Sequence, residues 1–506
     1  MLSASIWLPM LGAAIIGFIP GINASRQRSL ALAIATTALL WLGYLGTQFD
    51  FSTPGVQFHE FLPWIETLGL NYQLGVDGLS FPLLALNALL TWIAIYSSNT
   101  LERPRLYYSL ILLASAGMAG AFVAQNLLLF FLFYELELIP LYLLINIWGG
   151  DKRGYAATKF LIYTAVSGIL ILAAFLGITW LSGSATFDYE ALKTQGQSLQ
   201  TQLILLTMLL VGFGIKIPLV PLHTWLPDAY VEASPPVAIL LGGILAKLGT
   251  YGLFRFGLGL FPQTWALVAP GLAILGTVSV LYGALSAIAQ KDIKRMVAYS
   301  SVGHMGYVIL GGAAATPLSF VGAVSQMVAH GLILALLFHL VGVVEAKVGT
   351  RDLDVLNGLM NPIRGLPVIS SLLVLAGMAS AGIPGMVGFI AEFIVFQGSY
   401  PVFPLLTLLC VVGTGFTAVY FVILLNRTCF GKLDNKAYYP KVQWAERIPA
   451  LVLAALIFIL GVQPSWLVRW SEPTTTAMVS AVQVNSERLL AQNLKLRIQE
   501  TAKKSS

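Results

Sequence analysis

Apolar residues along this chain are grouped into long runs bounded by charge or by Gly and Pro. Each run is close to the roughly 20 residues that a helix needs to cross a bilayer. The pattern predicts about fourteen spanning helices, at 4–20, 29–49, 79–98, 106–123, 125–147, 156–181, 201–221, 235–258, 265–289, 296–314, 318–345, 365–397, 402–427 and 447–468. The run 365–397 is too long for one straight helix, and Gly382, Pro384 and Gly385 interrupt it. A similar break is expected around Lys216, where Gly212, Gly214, Pro218 and Pro221 surround a lysine that lies in apolar sequence. Freed backbone at membrane depth is tolerated only where it lines a polar cavity or is buried in protein.

No low-complexity linker divides the chain, so it is expected to form one membrane domain. Within it the pattern suggests N-terminal transmembrane helices over 1–105, a first repeat over 106–258, a second over 265–430, a last helix with its loop over 431–468, and a tail over 469–506. Each repeat holds five spans and a broken fourth member, and an odd number of spans inverts the second repeat against the first. The tail segment 477–500 has the pattern of an amphipathic surface or partner-docking helix.

Composition sharpens the class. Of 506 residues, 57% are hydrophobic and 10% charged, and the mean hydropathy is +0.82. The chain therefore reads as an all-α polytopic membrane protein, not a string of soluble domains. The net charge of +6 gives no nucleic-acid signal once its placement is considered. Eighteen of the 28 Lys and Arg residues fall in loops after odd-numbered spans, which places those loops in the cytoplasm. The basic tail is in tension with that orientation, although most of its charge is distant from the last span. The N-terminal run has no basic residue before it and reads as a retained span. Cys410 and Cys429 are too few and too far apart for a cluster-binding set or a disulfide framework.

The candidate chemistry lies in charges where hydrocarbon is expected. A lysine or carboxylate at the bilayer centre costs about 2.5–3.5 kcal/mol, so each is read as functional. Lys216, Lys247, Glu135, Glu137 and Glu392 lie inside predicted spans, together with His304, His330 and His339. Buried glutamates and lysines permit ion pairs that open and close with a proton, as a proton relay requires. Glu135 and Glu137 project about 200° apart on a helix, so one faces the lysines. The other is left to bond within the fold or to face a partner subunit. No spacing makes a convincing metal site.

The stretches KIPLVPLHTWLPDAYVEASPP, LAKLGTYGLFRF, QKDIKRMVAYSSVGHMGY, QMVAHGLILALLFHL and GIPGMVGFIAEF resemble the antiporter-like subunits of proton-pumping complex I. The likeness runs from about Tyr107 to Lys432, and the motifs are long and in order. LLLFFLFYELELIPLYLLINIWGGDKRGYAATKF is similar to the chain 4 branch of cyanobacteria and plastids. VAILLGGILAKLG departs from plastid-type members in the direction of the carbon dioxide-uptake paralogues. The resemblance implies fourteen helices and two inverted five-helix repeats. It implies Glu135 paired with Lys216, a central Lys247, linking His304 and His330, and a terminal Glu392 as a proton relay. It implies no cofactor in this chain: quinone, iron–sulfur clusters and the electron donor bind other subunits. The implied partners are other membrane subunits of the assembly, neighbouring antiporter-like subunits among them, with the lipid bilayer and protons but no nucleic acid. The implied place is the cyanobacterial thylakoid membrane. The competing reading is a subunit of a multi-subunit sodium/proton antiporter, and a scaffold that only docks partners is disfavoured by the buried charges.

Overall fold

The structure, a computed structural model, describes residues 1–19, 23–98, 102–193, 197–433 and 438–482. Each of the fourteen apolar stretches contains a helix. Among the described residues, ten helices are long and apolar enough to cross a membrane. The chain begins with α1 (Ser3–Phe18), α2 (Ala24–Gln48), α3 (Phe81–Ser97) and α4 (Pro104–Val123). The fifth stretch is two helices, α5 (Leu127–Leu136) and α6 (Leu138–Trp148), followed by α7 (Arg153–Leu181) and the short α8 (Tyr189–Leu192).

Both expected breaks are present. Helix α9 (Leu199–Lys216) stops at the lysine, and α10 (Trp225–Glu232) resumes after eight residues of turn. Pro218 and Pro221 lack the N–H that helix continuation needs. The freed backbone is nonetheless satisfied: Trp225 Nε1 donates to Ile215 O at 2.8 Å, and Val220 N donates to Ser279 Oγ at 3.1 Å. The second break separates α16 (Pro367–Ser380) from α17 (Val387–Ser399) and passes through Gly382 and Gly385 at φ +72° and +92°. Only glycine takes such angles without strain.

Two helices form the axis of the bundle. One is the composite Pro235–Leu258, built of α11 (Pro235–Leu240), a π-helical turn (Leu241–Leu245), α12 (Ala246–Gly252) and a second π turn (Leu253–Leu258). The other comes after α13 (Pro262–Ile288) and α14 (Ile293–Ala314): it is α15 (Pro317–Val348), apolar on every face. Helices hydrophobic all round belong in the centre, and residues 236–258 and 319–344 are buried without exception. Helices α18 (Pro404–Thr428), α19 (Trp444–Val462) and α20 (Ser465–Val468) complete the named elements.

The N-terminal region is not helical throughout. Residues 57–76 form an antiparallel hairpin, β1 (Gln57–Ile65) and β2 (Leu70–Val76), absent from the sequence-based expectation. An isolated hairpin is marginal, but this one is tied down. Gly69 O accepts from Phe187 N and Asn126 Nδ2, Gln73 O accepts from Gln125 N, and Glu60 accepts from the terminal ammonium and Ser3. Of the expected tail helix, residues 477–482 are helical and the remainder lies outside the described residues.

Candidate proton-relay site

Lys216 ends α9 with its side chain turned into the bundle. Its Nζ lies 2.5 Å from Glu137 Oε1 and 3.4 Å from the centre of the Tyr134 ring. Both charged side chains are almost fully buried, at 3% and 0% exposure. The tyrosine is itself held: its hydroxyl lies 3.0 Å from Ser167 Oγ, which donates to Gly212 O at 2.7 Å. The second oxygen of Glu137 has no protein partner among the described residues.

This corrects the expected pair. The carboxylate in contact with Lys216 belongs to Glu137, while Glu135 is partly exposed and turned against Gly168 of α7. The helix breaks at Glu137 because Pro140 cannot donate to the carbonyl of Leu136. That junction packs on Gly117 of α4, where a Cβ would lie 3.1 Å from Glu137 N and from Phe133 O. With 200° between the two acids only one can reach Lys216, and the break selects the second.

A second cluster forms on α12, α14, α15 and α17. Lys247 Nζ donates to Gly242 O at 2.5 Å and lies 2.8 Å from His330 Nδ1. The His330 and His304 rings are in contact, 5.3 Å apart between centroids. His304 Nε2 lies 3.0 Å from Ser380 Oγ, at the end of α16, and its Nδ1 lies 3.3 Å from Glu392 Oε1. The latter is an ion-pair distance without hydrogen-bond alignment, since Glu392 Oε1 has no hydrogen-bond partner among the described residues. Glu392 Oε2 accepts from Thr414 Oγ1 at 3.0 Å, and Gln326 Nε2 approaches His304 Nδ1 at 3.3 Å.

Four of the six expected relay residues, Lys247, His330, His304 and Glu392, thus form one row. Lys216 lies in the neighbouring cluster, joined to the row by packing of α12: a Cβ on Gly249 would lie 3.3 Å from the Lys216 carbonyl carbon. His339 stands apart, with Nε2 donating to Glu446 O at 2.8 Å. Two cations that the apolar pattern assigns to loops are in fact buried. Arg255 donates to both oxygens of Asp77 at 2.6 Å, and Lys294 donates to Val231 O and Ala233 O at the end of α10. The signal that could have revealed Arg255 is its position, only eight residues beyond Lys247 in unbroken apolar sequence.

Buried carboxylate, lysine and imidazole groups strung along broken helices define an antiporter-like membrane subunit. Comparison with known proteins leads to the same place. Residues 124–417 match the family described as NADH:quinone oxidoreductase/Mrp antiporter, TM. The chain is 40% identical to NAD(P)H-quinone oxidoreductase chain 4 2 of Microcystis aeruginosa, over 95% of this chain and 93% of that one. It is also 40% identical to NAD(P)H-quinone oxidoreductase chain 4 of Acaryochloris marina, over 95% and 92%. A chain of respiratory complex I from Thermus thermophilus superimposes with a TM-score of 0.86 at 30% identity, over 95% of this chain and all of that one. A chain of the Mrp complex from Dietzia shares the fold, with a TM-score of 0.84 at 20% identity, over 95% of this chain and 98% of that one. The chain belongs to the NADH:quinone oxidoreductase/Mrp antiporter family, as a complex I antiporter-like subunit of the NAD(P)H-quinone oxidoreductase chain 4 group.

Proposed function

We propose that this chain carries protons across the membrane for an NAD(P)H- or ferredoxin-dependent plastoquinone oxidoreductase, without taking part in electron transfer. The observation that carries the reading is the row Lys247–His330–His304–Glu392 beside the Glu137–Lys216 pair. Lysine and carboxylate change charge when they take or lose a proton, and imidazole passes one between its two nitrogens. While Lys216 is held by Glu137 its charge is compensated. When the pair opens, an uncompensated ammonium acts strongly on its surroundings, because screening inside the bundle is weak. A proton on Lys247 then has a path through His330 and His304 to Glu392, the acid of the second broken helix. Glu135, half-buried against α7, stands beside the first cluster as an accessory acid.

The electrons travel elsewhere. Two cysteines, on α18 and just beyond it, cannot hold an iron–sulfur cluster, so quinone, clusters and electron donor are assigned to other subunits. The matching of whole chains to complex I and Mrp assemblies supports membrane subunits as partners, neighbouring antiporter-like chains among them, and the cyanobacterial relatives support a thylakoid location. Forty per cent identity to chain 4 proteins across 95% of the chain favours the oxidoreductase over a sodium/proton antiporter. Lys247→Met in the intact complex tests the function. Electron flux and proton uptake, measured together in vesicles, are expected to separate, with fewer protons per electron. An unchanged ratio would refute the relay.

A further inference from the structure

One deep crevice lies outside the proton path. It has a volume of about 250 Å3 and is walled by α2, α3, α15 and α19 with α20 at one end. Leu39, Leu86, Val328, Leu332 and Leu460 form its sides and floor, and Trp466 closes one end. Every lining side chain is apolar apart from the indole N–H groups of Trp466 and Trp470. The neighbouring outer faces of α2 and α19 are also apolar and open: Leu40, Phe458 and Val462 are 69%, 54% and 58% exposed. The crevice therefore opens onto hydrocarbon.

Its ends differ chemically. At the α20 end stand Trp466, Trp470 and Arg469. Neither indole N–H has a protein acceptor among the described residues, and Arg469 has no acidic partner there. Aromatic residues at such a level belong to the membrane–water interface, and an arginine beside them attracts anionic headgroups. An occupant must be apolar along most of its length and a negatively charged acceptor at one end. A neighbouring helix, apolar throughout, leaves those donors idle, and a quinone ring carries no charge for the arginine.

We propose that this crevice holds one acyl chain of an anionic membrane glycerolipid, with the headgroup against Arg469 and the two tryptophans. The chain lies behind the relay. Val328 and Leu332 bracket His330 in sequence, and a Cβ on the intervening Gly331 would lie 2.6 Å from Leu86. One layer of side chains thus separates the lipid from the wall that carries His330 and Lys247.

The test uses the intact complex in bilayers containing phosphatidylglycerol with a diazirine midway along one acyl chain. Photolysis is expected to label the peptides containing 82–89, 328–332 and 456–470. Ala85→Trp and, independently, Leu39→Trp fill the crevice and are expected to cut that labelling about tenfold or more, since each buried methylene contributes to the binding. Arg469→Gln is expected to keep the labelling but remove a preference of about fivefold for phosphatidylglycerol over phosphatidylcholine of the same chain length. Labelling absent from these peptides, or unchanged in both tryptophan variants, overturns the proposal. So does displacement by a prenylquinone, or occupation of the crevice by a neighbouring subunit's helix.

Discussion

Replacing Glu137 by Gln keeps the size and most of the hydrogen bonding of the side chain while removing the counter-charge of Lys216. The two groups are 2.5 Å apart and buried at 0% and 3% exposure, so no solvent stands ready to compensate the ammonium. Breaking a buried pair from one side typically costs about 3–5 kcal/mol. At about 1.4 kcal/mol per factor of ten, that weighs against the charged, unpaired Lys216 by roughly 100-fold to several thousand-fold. Tyr134 faces Lys216 in both wild type and variant and does not offset the loss. In vesicles containing the intact complex, protons taken up per electron are expected to fall about tenfold or more for Glu137→Gln, and about threefold or less for Glu135→Gln. The double variant Glu137→Gln with Lys216→Met removes the stranded charge, so it is expected to regain thermal stability without regaining pumping. Equal loss in the two single glutamine variants, or a wild-type ratio in Glu137→Gln, would refute the assignment of the working pair to Glu137.

The geometry sets three further outcomes. Glu392→Gln still accepts from Thr414 but cannot carry a proton, so transfer through this subunit is expected to stop, while Glu392→Asp, with a shorter reach to His304, keeps part of it; full pumping by the glutamine variant would mark Glu392 as structural. Gly382→Ala forces a side chain into φ +72° and sets its Cβ 3.3 Å from Glu392 Oε2, so the assembled complex should unfold more easily by about 1–2 kcal/mol, a loss that denaturant titration would register. On the cytoplasmic side by charge, Asp354 bridges Lys291 and Arg427, and the hydrogen bond from Lys291, helped by both charges, holds its carboxyl below the ordinary carboxylate range. A lowered carboxyl contributes above its unfolded value and is lost as pH falls through its folded one, so amide-exchange protection of 350–357 should be level from about pH 5 to 8 and should drop in Asp354→Asn at every pH in that window.

The fold was legible wherever hydrophobic length decided it. Runs of apolar sequence set the helical stretches, and Gly382, Pro384, Pro218 and Pro221 marked both breaks, because missing N–H groups and left-handed backbone are local properties. The second cluster was legible for a related reason: a lysine, two histidines and a glutamate in apolar sequence must find one another or bear the burial cost alone. Choosing between Glu135 and Glu137 depended on how the chain turns at one junction, and periodicity assumes a helix that does not turn. The hairpin at 57–76 escaped because its outer residues Phe61, Leu62 and Trp64 are exposed, so its burial does not alternate as an amphipathic strand should. Arg255 escaped because its partner Asp77 is 178 residues away, a contact that only tertiary structure reveals.

The two π turns make residue count a property of the site. Each accommodates about one residue more than an α-helical turn covering the same rise. Removing one residue from Leu241–Leu245 would let that turn relax to α, rotating everything after it by about 100° and sliding it about 1.5 Å. Lys247 would swing away from His330, and Arg255 away from Asp77, although every side chain would still be present. Removing one from Leu253–Leu258 would leave Lys247 in place and disturb only the residues beyond that turn. Single-residue deletions here therefore act as a dial on helix phase, and they separate the identity of a relay residue from the direction in which it points.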